Sequence, residues 1–205
     1  MSPKRLPKVF GIGLNKTGTS SLTAALGVLG YRAFHNSLPG LREARISARV
    51  DDAIDNGRPP LHHLWRMRRY DAFFDVRAVE RHFEHFDTAY PGAKFILHTR
   101  ELGSWLDSRE KHVKRNIERG IVTWTSVDRA GWEVERAEQH ARVRAHFADR
   151  PADLLELDVI ASPGWSPLVE FLGVSTPAID FPHANRADSA TNGLGTRARR
   201  ALRSS

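Results

Sequence analysis

Residues 8–29 read KVFGIGLNKTGTSSLTAALGVL, and their order of residue types decides how the rest of the chain is read. Val9, Phe10 and Ile12 form a short apolar run without helical spacing. Gly13, Lys16, Gly18, Thr19, Ser20 and Ser21 then bring glycines, hydroxyls and one cation into a few positions. Leu22, Ala25, Leu26 and Leu29 recur at helical spacing, and Gly30 follows where a C-terminal cap glycine is expected. The order is a buried strand, a tight loop and a helix. A helix that starts from such a loop offers unpaired N–H groups and the positive end of its dipole to an anion. Lys16 adds a full charge there, while Gly13 and Gly18 allow the backbone to curl around a phosphate without a Cβ in the way.

Outward from this stretch, short apolar runs alternate with helical periodicities. Tyr31–Phe34 reads as a second strand ending at His35, with turn residues from Asn36 to Gly40 and a surface helix from Leu41 to Ile54. The segment LHHLWRMRRY, 61–70, combines aromatics, histidines and arginines and is expected to line a pocket or cap the core. Ala72–Phe74 reads as a third strand between Asp71 and Asp75, followed by one helix face carrying Val76, Val79, Phe83 and Phe86. Lys94–Thr99 is a fourth strand ending at Arg100, and Leu102, Trp105, Leu106, Val113 and Ile117 continue as a helix. A loop or lid at 120–131, a helix from about Trp132 to Phe147, a last strand at Leu154–Leu157 and a short helix at Pro167–Leu172 complete the pattern. This alternation defines an α/β fold of three layers around a central, mostly parallel sheet. Ligands of such sheets sit at the carboxyl ends of the strands, where Lys16, His35, Asp75 and Arg100 all fall.

Composition sets the frame. With 205 residues the chain suits a single domain, here read as 1–185, plus a basic tail, 186–205, expected to be disordered. There is no cysteine, the N-terminus is polar, and no apolar stretch approaches membrane-spanning length, so a cytoplasmic protein with no membrane partner is expected. The net charge of +7 favours an anionic partner, or reflects no more than arginine-rich composition.

The phosphate loop of nucleotide triphosphatases, G-x-x-x-x-G-K-[ST], places lysine after its second glycine. Here Lys16 precedes Gly18, in the run Gly13-Leu14-Asn15-Lys16-Thr17-Gly18-Thr19-Ser20-Ser21. That arrangement resembles the K-x-G-T-[ST]-[ST]-L loop of the sulfotransferases that use 3′-phosphoadenosine 5′-phosphosulfate (PAPS). In those enzymes a strand-end arginine and a serine eight residues on hold the 3′-phosphate. Arg100 and Ser108 stand at that spacing in YPGAKFILHTRELGSWLDSR, with Trp105 and Ser104 between them. The chain is identified as resembling the PAPS-dependent sulfotransferases of the small soluble bacterial type, over roughly residues 8–185.

The resemblance implies a P-loop-like sulfotransferase fold and transfer of a sulfuryl group to a hydroxyl or amine of a small-molecule or carbohydrate acceptor, without a metal. It implies donor-binding roles for Asn15, Lys16, Thr17, Gly18, Thr19, Ser20, Ser21, Arg100 and Ser108. It also makes Lys16 the group that neutralises charge on the leaving oxygen. For the base, Asp75 is the first candidate, His35 the second and Glu43 the third, although Asp75 also fits a helix N-cap and His35 a satisfied strand-end polar residue. Trp65, His62, His63, Trp124 and Trp132 are candidates for the acceptor wall, and Arg66, Arg68 and Arg69 for attracting an acidic acceptor. The rival readings are a P-loop kinase or phosphotransferase, a non-catalytic nucleotide binder, and a nucleic-acid-binding protein, the last being poorly served by the scattered basic residues.

Overall fold

The computed structural model describes residues 6–36, 42–121 and 124–183. Five strands, β1 (Val9–Gly11), β2 (Ala33–His35), β3 (Ala72–Phe74), β4 (Lys94–His98) and β5 (Leu154–Leu157), form one sheet in the order β2-β3-β1-β4-β5. Every pairing is parallel. The helices are α1 (Thr19–Val28), α2 (Glu43–Asp55), α3 (Arg77–Arg81), α4 (Phe83–Ala89), α5 (Leu102–Glu118), α6 (Arg129–His146) and α7 (Ser166–Leu172). Among the described residues no helix is long and apolar enough to cross a membrane. The tail read as 186–205 lies outside the described residues, as do 37–40 of the expected turn, 41 at the start of the expected surface helix and 122–123 of the expected lid.

Alternation along each strand builds the three layers. Phe10, Phe73, Phe95 and Leu97 face one side, where they join Val50, Val79, Phe83, Phe86 and Phe147 from the helices. Val9, Ala72, Phe74 and Ile96 face the other, against Leu22, Leu26, Trp165 and Leu168. Phe10 stands at the centre, its ring 5.3 Å from Phe73 and 5.6 Å from Phe95, so aromatic side chains run across three adjacent strands. Burying each of these rings stabilises the fold by ~1.5–3 kcal/mol relative to exposure.

Three elements depart from the sequence pattern. The single helix expected through Val76–Phe86 is two, divided at His82, whose Nε2 sits 2.9 Å from Asp51 Oδ1 on α2. The alternative reading of Asp75 as a helix N-cap is not met: Val76 takes that position. Instead Glu43 Oε1 accepts from the Arg77 amide at 3.1 Å, and Ser47 Oγ accepts from Ala78 at 3.1 Å. The third candidate base, Glu43, thus holds the start of α3. Helix α6 begins three residues earlier than expected, because Asp128 caps it by accepting from the Gly131 amide at 2.9 Å. The 61–70 segment caps the core through Leu61, Leu64 and Met67, leaving Trp65 exposed.

Candidate active site

The loop between β1 and α1 is clamped from below. A Cβ on Gly13 would lie 1.9 Å from the His98 carbonyl oxygen, so only glycine permits the loop to pack on the end of β4. Thr17 donates its hydroxyl to the Leu14 carbonyl at 2.7 Å, and the same oxygen lies 2.7 Å from His98 Nδ1. Trp105 donates from Nε1 to the Asn15 carbonyl at 2.9 Å, and Gln139 donates to the Ile12 carbonyl at 3.1 Å. Gly18 begins α1 at φ 91° with no side-chain cap, and among the described residues the Thr19 and Ser20 amides meet no protein acceptor.

Lys16 (φ 68°), Asn36 (φ 61°) and Asp75 (φ 56°) are three of the four non-glycine residues with positive φ among the described residues, and all stand at the carboxyl edge of the sheet. Such backbone costs of order 1–3 kcal/mol each and is held in place by its surroundings. The pairing of His35 with Phe74 brings β2 and β3 to a common end, and Asn36 donates to Asp75 Oδ2 at 3.0 Å. His35 Nε2 lies 3.1 Å from Thr19 Oγ1 and 3.9 Å from Asp75 Oδ2.

A cavity of about 590 Å³ opens over this edge. Asn15, Lys16, Gly18, Thr19 and Ser20 line one side, His35 and Asp75 another, and Arg100 and Ser108 a third. Of the loop residues, the strand-end arginine with its serine and the first two base candidates, all but two therefore meet in one place. Thr17 and Ser21 are buried behind the loop and do not line the cavity. Arg100 is oriented by donating from Nε to Ser104 Oγ at 3.0 Å, one turn nearer than Ser108.

Three further residues, Lys111, His112 and Arg115, line the cavity from α5. They follow Ser108 by three, four and seven positions, the spacing of one helix face, and that periodicity was the available signal. Four cationic side chains, Lys16, Arg100, Lys111 and Arg115, thus face one carboxylate, Asp75. Among the described residues none of the four is in an ion pair, and uncompensated charge of this density fits a polyanion. Burial lowers the Lys16 pKa, with Asp75 opposing and Arg115 assisting. Burial likewise lowers that of His35, against Asp75 and with Lys16, which favours the neutral imidazole. Of the aromatic candidates, Trp124 and Trp132 line a neighbouring cavity, whereas His62, His63 and Trp65 line neither.

An all-parallel α/β sheet with a cationic, glycine-shaped loop at the edge of its first strand is suited to holding an anion, and the sequence comparison supplies the family. The sulfotransferase domain family matches residues 8–139 and 132–190, and the chain belongs to that family. Among its relatives is the Ava biosynthesis cluster protein M of Aspergillus versicolor, 27% identical over an alignment covering 88% of this chain and 82% of that protein.

Proposed function

We propose that the chain transfers a sulfuryl group from PAPS to a hydroxyl or amine of a small-molecule or carbohydrate acceptor. The observation that supports this reading is the placement of two separate anion grips in one cavity. The Lys16 loop lies on one side, Arg100 with Ser108 on another, and no described acidic partner neutralises their cations.

The 5′-phosphosulfate would lie against the Gly18, Thr19 and Ser20 amides and the Thr19 and Ser20 hydroxyls, at the positive end of α1. Lys16 would neutralise charge that builds on the bridging oxygen as the S–O bond breaks, an interaction stronger in the transition state than before it. Arg100 and Ser108 would hold the 3′-phosphate through the planar guanidinium fork and a hydroxyl. Lys111 and Arg115 extend the same positive wall.

Asp75 is the proposed base. It does not cap α3, it faces the cavity, and Asn36 orients the carboxylate oxygen that stands near His35. His35, kept neutral by burial, fixes the Thr19 hydroxyl from the other side of the loop. The experiment is transfer of labelled sulfate from PAPS to a panel of phenols, amines and sugars. Incorporation that disappears in Lys16→Ala is expected, and incorporation unchanged by that substitution would remove Lys16 from the reaction. A P-loop kinase reading predicts instead labelled phosphate transfer from ATP.

A further inference from the structure

Beside the donor cavity lies a larger one of about 850 Å³, and Asn15 lines both. Its side-chain Oδ1 is buried and meets no hydrogen-bond partner, while Trp105 fixes its backbone from behind. Leu14, Trp124, Trp132 and Val134 are the apolar part of its wall, with the Arg109 guanidinium packed over both indole rings at 5.3 and 4.8 Å. Into it projects Glu80, which is only 8% exposed.

The Glu80 main chain is pinned: its carbonyl accepts from Gln139 Nε2 at 2.9 Å and from Arg142 Nη2 at 3.1 Å. Its carboxyl group takes no hydrogen bond from any described residue. A nearly buried, unpartnered carboxyl is costly to the fold, and the same group becomes an asset when a ligand supplies the missing donor. Once Glu80 is ionised, the surrounding charge fits a cation. Three of the four arginines in the wall are already paired, Arg81 with Asp51, Arg109 with Glu135 and Arg142 with Glu84. That leaves Arg77 against two carboxyl groups without ion pairs among the described residues, Glu80 and Glu138.

We propose that this second cavity is the acceptor site and that it takes an apolar molecule bearing a basic amine, the amine seated against the Glu80 carboxyl. The inference rests on the sulfotransferase reading and narrows its acceptor class. Burial and the neighbouring Asp75 push the Glu80 pKa up to about 8, Glu135 and Glu43 adding to the effect and Arg77 opposing it. Near neutral pH the empty site therefore favours the protonated form of Glu80, and seating an ammonium group drives that proton off into solvent. Amine affinity rises with pH up to about 8 in consequence.

The test is calorimetric titration of the full chain with tryptamine and with indole-3-acetate, which share a ring system and carry opposite charges, with and without saturating 3′-phosphoadenosine 5′-phosphate. Tryptamine is expected to bind at least ~10-fold more tightly than indole-3-acetate, and to lose ~10-fold or more in Glu80→Gln, the loss of a charged hydrogen bond. Val134→Lys, which places a cation at an exposed position of the same wall, is expected to weaken tryptamine and leave the bisphosphate unaffected. No tryptamine binding, equal affinity for the two probes, or an unchanged affinity in Glu80→Gln overturns the inference. Bisphosphate binding is read separately, so its failure counts against the donor site alone.

Discussion

His98 Nδ1 lies 2.7 Å from Thr17 Oγ1, and that hydroxyl already donates its proton to Leu14. The imidazole must therefore donate through Nδ1, leaving Nε2 bare in a site with no partner, at a residue that is completely buried. One neutral tautomer of His98 thus supports the loop that carries Lys16.

Stability should follow that proton. Burial pushes the His98 pKa down to about 4 from 6.5, so the unfolded chain takes up a proton first as pH falls. The contribution is complete above pH 6.5 and is lost on the way down through 4, amounting to roughly 2 kcal/mol by pH 5. Urea unfolding at pH 7.5 and pH 5 is expected to show this loss, reduced by about that amount in His98→Asn, which keeps a donor toward Thr17. His140, also held at about 4 by burial, contributes to the pH dependence that remains, as do His35 and His112, which burial likewise lowers. An equal loss in the variant would show that His98 titrates without consequence.

Two glycines of the opening stretch should respond in opposite senses. Gly13→Ala forces a Cβ into the His98 carbonyl and is expected to cost ~1–3 kcal/mol and to abolish nucleotide binding by displacing the loop. Gly27 is exposed within α1, and a methyl group added there would meet nothing within 4 Å, so substitution by alanine should gain ~0.5–1 kcal/mol. Thermal unfolding of both variants checks the pair.

Asp75→Asn retains shape and the contact with Asn36 but cannot accept the acceptor's proton. Turnover is expected to fall by ~10²–10⁴-fold, with affinity for 3′-phosphoadenosine 5′-phosphate little changed. Retained turnover with an identified acceptor would place the base elsewhere, His35 being the adjacent candidate.

The sequence carried the placement of these residues well, because strand ends, glycines and helical spacing are local properties. Val9–Gly11, Ala72–Phe74 and Leu154–Leu157 lie where apolar runs place them, and Lys16, His35, Asp75, Arg100 and Ser108 share a cavity because parallel strands deliver their carboxyl ends to one edge. The break at His82 was not legible: Val79, Phe83 and Phe86 keep helical spacing through it, and its cause is Asp51 on another helix. The capping of α3 by Glu43 and the solitary Glu80 carboxyl likewise depend on contacts between distant segments, which no local pattern records. Lys111, His112 and Arg115 were within reach, since continuing the face of α5 from Ser108 leads straight to them.

The most direct measurement is titration of the full chain with 3′-phosphoadenosine 5′-phosphate and, separately, with adenosine 5′-phosphate, which lacks the ribose phosphate. If Arg100 and Ser108 grip that phosphate while the Lys16 loop holds the other, the bisphosphate binds ~10–150-fold more tightly, and the difference collapses in Arg100→Ala. Equal affinity for the two nucleotides would contradict the account.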